Sequence, residues 1–258
     1  MTPPLRSLSF FLVVCMLAAP AGYALAEAIS GYDYLKPDTR AMQDDDFENP
    51  GILAVERGRE LFNEKQPGAS KSCAECHGES GSQLDTKSIA RYPRIGEKQG
   101  DIIILQATIS NCRKSVGSQV LPPNHADLVA LETFVRNRAS GETVNVRADG
   151  TATELLKKGE EIFQTRYGLI DMSCAHCHSM YSGQMIRGQK ISQGQANGFP
   201  AYRLDIGEMT NLHQRIQQCQ TSLRTEPFDA ESDEIKLLGL YLMSRSNGLK
   251  IETPAVRY

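Results

Sequence analysis

The 258-residue chain contains no tryptophan, and aromatic residues make up only 7% of it. Large rings ordinarily supply much of a core's volume, so a covalent cofactor is one means of filling what the side chains leave. Positive charge is not in excess either: 28 Lys and Arg face 31 Asp and Glu, for a formal net charge of -3. Without a basic patch the chain lacks the electrostatic footprint of a nucleic-acid binder. Past the N-terminal region no apolar run is long enough to cross a bilayer, which excludes an internal membrane span. Sustained strand alternation is missing as well, which leaves a mainly α protein.

What is present begins with a targeting segment. Arg6 supplies a positive flank, Phe10 to Ala19 an apolar run, and Ala24-Leu25-Ala26 a small-x-small cleavage site. The run is short for a membrane anchor, and Val14 before Cys15 is not the small residue a lipoprotein signal needs. The reading is a signal peptide over 1–26, a mature chain from Glu27, and a periplasmic location.

Setting Cys15 aside, six cysteines remain. Four lie in Cys73-Ala74-Glu75-Cys76-His77 and Cys174-Ala175-His176-Cys177-His178. In a Cys-x-x-Cys-His motif two thiols add across the haem vinyl groups and the adjacent histidine reaches the iron. Four Cys and two His also suit zinc, but zinc does not ask for a histidine directly after each second cysteine. Two copies behind an export signal therefore predict two covalently bound haem c groups, attached at Cys73, Cys76, Cys174 and Cys177.

The chain repeats itself. Gly58 precedes Cys73 by the same interval as Gly159 precedes Cys174, at an offset of 101; after the motifs the offset becomes 107. At that second offset Pro93 matches Pro200, Leu105 matches Leu212, Ile109 matches Ile216, Gly141 matches Gly248 and Cys112 matches Cys219. Helical spacing of apolar residues predicts helices over 53–63, 102–114 and 128–138, and again over 154–165, 208–223 and 232–244. Ser232 reads as an N-cap. The predicted architecture is two tandem cytochrome c-like domains, 51–145 and 146–258, joined through the polar stretch 143–150. Residues 27–50, with Asp44-Asp45-Asp46, show no clear periodicity and read as a surface-wrapping extension.

A low-spin haem iron needs a sixth ligand, ordinarily Met, His or Cys. Between Cys73 and Gly141 there is no Met, so His125 and Cys112 are the strong local donors. In the second half Met180, Met185, Met209, His213 and Cys219 compete. Only Cys112 and Cys219 occupy matched positions, which pairs His77 with Cys112 and His178 with Cys219 as axial ligands. A Cys112–Cys219 disulfide is the alternative; it requires Cα atoms within roughly 7 Å. The halves differ at one telling place: Arg215, one helical turn before Cys219, has Thr108 as its counterpart. A guanidinium beside a sulfur favours the thiolate and offers a fork of donors to an oxyanion, although a propionate-paired or solvated arginine fits the same position. On this reading the second haem is the site and the first a relay. Tyr202 and Arg203, after the Pro200 turn, read as propionate or packing residues, and His176 as incidental.

These features resemble the SoxA family, the dihaem subunits of SoxAX cytochromes, along nearly the whole mature chain. The resemblance is carried by Ser30-Gly31-Tyr32-Asp33-Tyr34, by the run from Ala41 to Gly51, by both haem motifs, by Arg215-Ile216-Gln217-Gln218-Cys219 and by the tail Glu252 to Arg257. Its most specific run is Ser192-Gln193-Gly194-Gln195-Ala196-Asn197-Gly198-Phe199-Pro200-Ala201-Tyr202-Arg203-Leu204. It implies an L-cysteine S-thiosulfotransferase that joins thiosulfate oxidatively to a carrier cysteine of SoxYZ. Cys219 would be the active sulfur, seen in the family as a persulfide-modified haem ligand, and Arg215 would hold thiosulfate. Two electrons would leave through the haems to SoxX, a monohaem partner, and on to a small cytochrome c acceptor. Two other readings stand beside it. A dihaem thiosulfate dehydrogenase forming tetrathionate typically pairs one haem with Met, which the matched cysteines oppose. A plain electron-transfer cytochrome would have no use for Arg215.

Overall fold

The computed structural model describes residues 27–98 and 100–258; the expected signal peptide, with Cys15, lies outside them. A 3-10 turn at Gly31–Tyr34 leads to α1 (Pro37–Asp44), α2 (Ile52–Asn63), α3 (Ala74–His77), α4 (Thr86–Ile89), β1 (Arg94–Ile95) and β2 (Ile102–Ile103). Then come α5 (Leu105–Ser115), α6 (Ala126–Asn137), α7 (Ala152–Gln164), a π turn at His176–Met180, and the strands β3 (Met185–Ile186), β4 (Gln189–Lys190), β5 (Ala201–Arg203) and β6 (Glu208–Thr210). The chain closes with α8 (Leu212–Ser222), α9 (Asp233–Ser244) and β7 (Ala255–Arg257).

Each half is organised by two helices that cross at a glycine. In α7, Ala152, Leu155, Gly159 and Phe163 are buried along one face, the helical spacing of a core-facing stripe. A Cβ on Gly159 would run into the Leu237 carbonyl and lie 2.7 Å from Tyr241 Cβ of α9. A Cβ on Gly58 of α2 would meet the Ala130 carbonyl and lie 2.6 Å from Phe134 Cβ of α6. The residues met are themselves matched at the offset of 107, so the repeat extends to the atoms of the crossing. Only glycine lets two helix backbones approach this closely.

Past these helices the halves meet about a local twofold axis. Thr143 bridges Lys250 in antiparallel fashion, and these two residues are each other's counterparts. Around them Val144 N donates to Leu249 O at 2.9 Å, Gly248 N to Val144 O at 3.1 Å, and Ile251 N to Glu142 O at 2.9 Å. The larger core spans both halves, joining Leu61, Leu131 and Phe134 to Leu240, Met243 and Ile251. A second cluster, built on Phe163, Ile216, Ile235 and Leu238, belongs to the second half.

Three expectations change. The helices predicted from 102 and 208 begin later, because Ile102–Ile103 and Glu208–Thr210 are strands that pair with Arg94–Ile95 and Ala201–Arg203. The 27–50 segment contains a helix, α1, started by Pro37 in its first turn. It buries none of its residues, which is why no apolar period announces it. Its contacts are polar: Gln43 Oε1 accepts from Val256 N at 3.0 Å, and nearby Asn49 Nδ2 donates to Pro254 O at 3.0 Å. These bonds pin the C-terminal tail, whose β7 adds in parallel to β5 of a three-stranded sheet, order β6-β5-β7.

Candidate functional site

The six described cysteines are all free, including Cys112 and Cys219, so the disulfide alternative is not realised. In the first half Cys73 precedes α3, whose last residue is His77, while α5 carries Cys112. Burial raises the Cys73 thiol, Arg113 pulls it down and the nearby Cys112 adds to the rise. Arg113 is buried, and only its Nη2 has a partner, the Gln119 carbonyl at 3.3 Å. Its Nε and Nη1 are unpartnered. A buried guanidinium with free donors beside a haem motif suits a carboxylate of the kind a haem propionate brings. His125, the competing donor, is occupied: its Nδ1 accepts the Asp127 amide at 3.2 Å and caps α6.

The second centre is more elaborate. Asn211 starts α8 with a capping box, accepting the Gln214 amide at 2.8 Å while Gln214 Oε1 accepts the Asn211 amide at 2.9 Å. This fixed start sets the face of α8 that carries Arg215 and Cys219 one turn apart. Burial alone would push the Cys219 thiol up. Arg215, a hydrogen bond from His178, the His178 charge and Arg203 together outweigh it and bring Cys219 down to about 7. Its neighbours go the other way. Burial, reinforced by the charge on Cys219, pushes Cys174 up to about 12 and raises Cys177. The pocket thus keeps the two motif thiols neutral, as suits thioether formation, and favours an anionic sulfur facing the motif histidine. That donor set fits a haem c that Cys174 and Cys177 would attach and whose iron His178 and Cys219 would hold. The four donors that compete with Cys219 in the sequence stand elsewhere. Met180 and Met185 are exposed, Met209 lies in β6 beside Gly51, and His213 turns its Nδ1 to the Ala230 carbonyl at 3.3 Å.

Arg203 is the residue that sequence reasoning undervalued. It is buried at the end of β5, in a two-point ion pair with Asp205 at 3.2 and 3.3 Å. Burial and the like charge of Arg215 lower its pKa against the pull of Asp205. Two guanidiniums therefore stand at Cys219. The signal was available: at the offset of 107 the counterpart of Arg203 is Gly96. The first half has neither cation. Thr108, the counterpart of Arg215, instead bonds the Tyr92 hydroxyl at 3.1 Å. His176 makes a local contact, its Nδ1 lying 2.7 Å from Ser173 Oγ.

A family model described as the SoxA/TsdA cytochrome c domain matches residues 57–144 and 158–251. The L-cysteine S-thiosulfotransferase subunit SoxA of Pseudaminobacter salicylatoxidans is 37% identical, over 95% of this chain and 86% of that protein. The subunit of the same name from Rhodovulum sulfidophilum is 38% identical, over 90% of this chain and 80% of its own length. Among solved structures, the crystal structure of SoxXA from P. pantotrophus aligns with a TM-score of 0.80 and 35% identity, covering 89% of this chain and 86% of that one.

Proposed function

Since the chain belongs to the SoxA family of cytochromes c, we propose that it is the catalytic subunit of a periplasmic L-cysteine S-thiosulfotransferase acting with SoxX. Its two units, 51–145 and 146–258, each hold one haem c. Cys73, Cys76, Cys174 and Cys177 would attach the haems, and His77 with Cys112, and His178 with Cys219, would hold their irons. The observation that carries the reading is the environment of Cys219: a sulfur on α8 beside Arg215, His178 and Arg203, whose pull brings its thiol down to about 7 against burial. Thiosulfate is a dianion, so a site with two guanidiniums attracts it and orients its sulfonate by forked hydrogen bonds. Its outer sulfur then bonds to Cys219 Sγ, and the new S–S bond releases two electrons. The haem, when bound, supplies an acceptor for those electrons, which pass to SoxX and a small cytochrome c. A deprotonated cysteine of the SoxYZ carrier next attacks the sulfur that bears the sulfonate. The thiosulfonate moves to the carrier and Cys219 leaves as a thiolate.

Reconstitution tests this. The complex, given thiosulfate, carrier and oxidised cytochrome c, is expected to yield carrier whose cysteine has gained a thiosulfonate, detected by intact-mass analysis, with two cytochromes reduced per carrier. Tetrathionate formed without carrier would instead identify a thiosulfate dehydrogenase. Thiosulfate turnover unchanged in Cys219→Ala would leave a plain electron carrier.

A further inference from the structure

The chemistry above makes no use of the ionisable groups shut in between the two halves. We propose that the cavity on the local twofold axis is a proton-binding site, in which Glu132 takes up a proton when a neighbouring haem centre is reduced and returns it on oxidation. The proposal rests on each half holding a haem c.

Geometry carries it first. The cavity, of about 50 Å³, is lined by Glu132 and Arg136 of α6, Gln106 of α5, His213 of α8, and Gly239 and Met243 of α9. A water needs about 10–15 Å³ of such space and two to four polar partners, so a few waters fit. The walls supply the partners. Arg136 is buried; its Nη1 donates to the Ile89 carbonyl at 3.0 Å and its Nη2 meets Met243 Sδ at 3.5 Å, but its Nε has no partner among the described residues. Glu132 Oε2 accepts from Gln106 Nε2 at 3.0 Å. His213 Nδ1 faces the Ala230 carbonyl, so its Nε2 presents a lone pair. The repeat makes the site one-sided. Position 239, the counterpart of Glu132, is a glycine, and a Cβ there would lie 3.1 Å from His213 Nε2. One carboxyl therefore serves both halves.

The two helices that wall the cavity also tie it to the redox centres. Gln106 lies six residues before Cys112 on α5, and His213 six residues before Cys219 on α8. That is about 9 Å of helix axis in each case. At roughly 10–15 Å, with an effective dielectric of about 20, one unit charge shifts the ionisation of another by about tenfold. Glu132 responds to an added electron in the balanced sense: its carboxylate and one solvent proton become the neutral acid as an iron goes from ferric to ferrous, and oxidation reverses both. The group is poised for this, since enclosure holds its carboxyl at about 7, against Arg136 and the Gln106 amide. Its surroundings do not titrate with it. Arg136, brought down by burial to about 10, stays charged near neutrality. His213 is kept neutral by burial, and Lys236 of α9 opposes its charge further. Gln106 is an amide, α9 lines the cavity with Gly239 and Met243, and α2 and β6 bring no charged residue to it.

The test is a redox titration of the purified haem-loaded protein at about pH 5.5 and about pH 9. It compares the parent with Glu132→Gln, whose amide resembles the protonated acid at every pH. At the acid end the two should have the same potentials. At the alkaline end the variant should be about tenfold easier to reduce at one haem or both, which is about 59 mV for one electron, because the parent's carboxylate opposes the electron. Electrochemical reduction near neutral pH, followed with an indicator dye, should show less proton uptake by the variant. Potentials that differ equally at both pH values, or at neither, or equal proton uptake, would overturn the proposal. A parent whose mass carries fewer than two haems would instead sink the two-haem reading, before any variant is compared.

Discussion

Arg215 and Arg203 act on one sulfur but are anchored differently, and that separates their expected roles. Arg203 is tied to Asp205 and buried, so it contributes field more than contact. Arg215 is half-buried on α8, and its guanidinium has no hydrogen-bond partner among the described residues. Hydrogen bonds to charged groups contribute roughly 1.5–3 kcal/mol, so Arg215→Ala is expected to lower kcat/KM for thiosulfate by about 10- to 150-fold. Arg215→Lys should recover only part of this, because an ammonium cannot present the guanidinium fork. Steady-state kinetics of the reconstituted complex measures both; a Lys variant equal to the parent would mean that charge alone matters. At this scale the sequence was most readable where the halves differ. Arg215 stood out against Thr108, whereas Cys219 was found because Cys112 matches it. Arg203 was missed because it reaches the sulfur from a strand, where spacing along a helix gives no cue.

At the level of helices and strands, the core-facing elements were legible and the polar ones were not. α2, α6, α7 and α9 bury apolar stripes, and that period is written in the sequence. α1 docks through Gln43, and strands of two or three residues are too short to show alternation. The glycines at the crossings yield a prediction of unusual sign. In an exposed helix Gly→Ala gains about 1 kcal/mol of helix propensity. At Gly159 the added methyl meets the Leu237 backbone, which cannot swing aside, and overpacking a tight core costs about 1–3 kcal/mol, occasionally more. The clash outweighs the propensity gain, so Gly159→Ala should lower the urea midpoint, as should Gly58→Ala. A rise in either would mean that the helices part at little cost.

Across the whole molecule the twofold axis brings together what neither half holds alone. A cavity of about 50 Å³ lies on it, lined by counterparts that include Gln106 and His213, Glu132 and Gly239, Arg136 and Met243. Burial pushes Glu132 up to about 7 against the pull of Arg136 and Gln106, and pushes His213 down to about 4. The signs oppose. The Glu132 contribution to stability is complete below its ordinary pKa and disappears as pH rises through about 7. That of His213 is complete above its ordinary pKa and disappears as pH falls through about 4. Glu132→Gln removes the first dependence alone. Its gain on the parent should grow from near zero at pH 4 to about 1–3 kcal/mol by pH 8. Urea titrations at several pH values measure this, and a pH-independent difference would refute it. Self-pairing of Thr143 with Lys250 has a further consequence. An isologous contact joins identical copies, and in a homodimer any change to one copy is forced on the other. Tying the two into one polypeptide lifts that constraint: one half could acquire cations around its cysteine while its twin kept a threonine and a glycine.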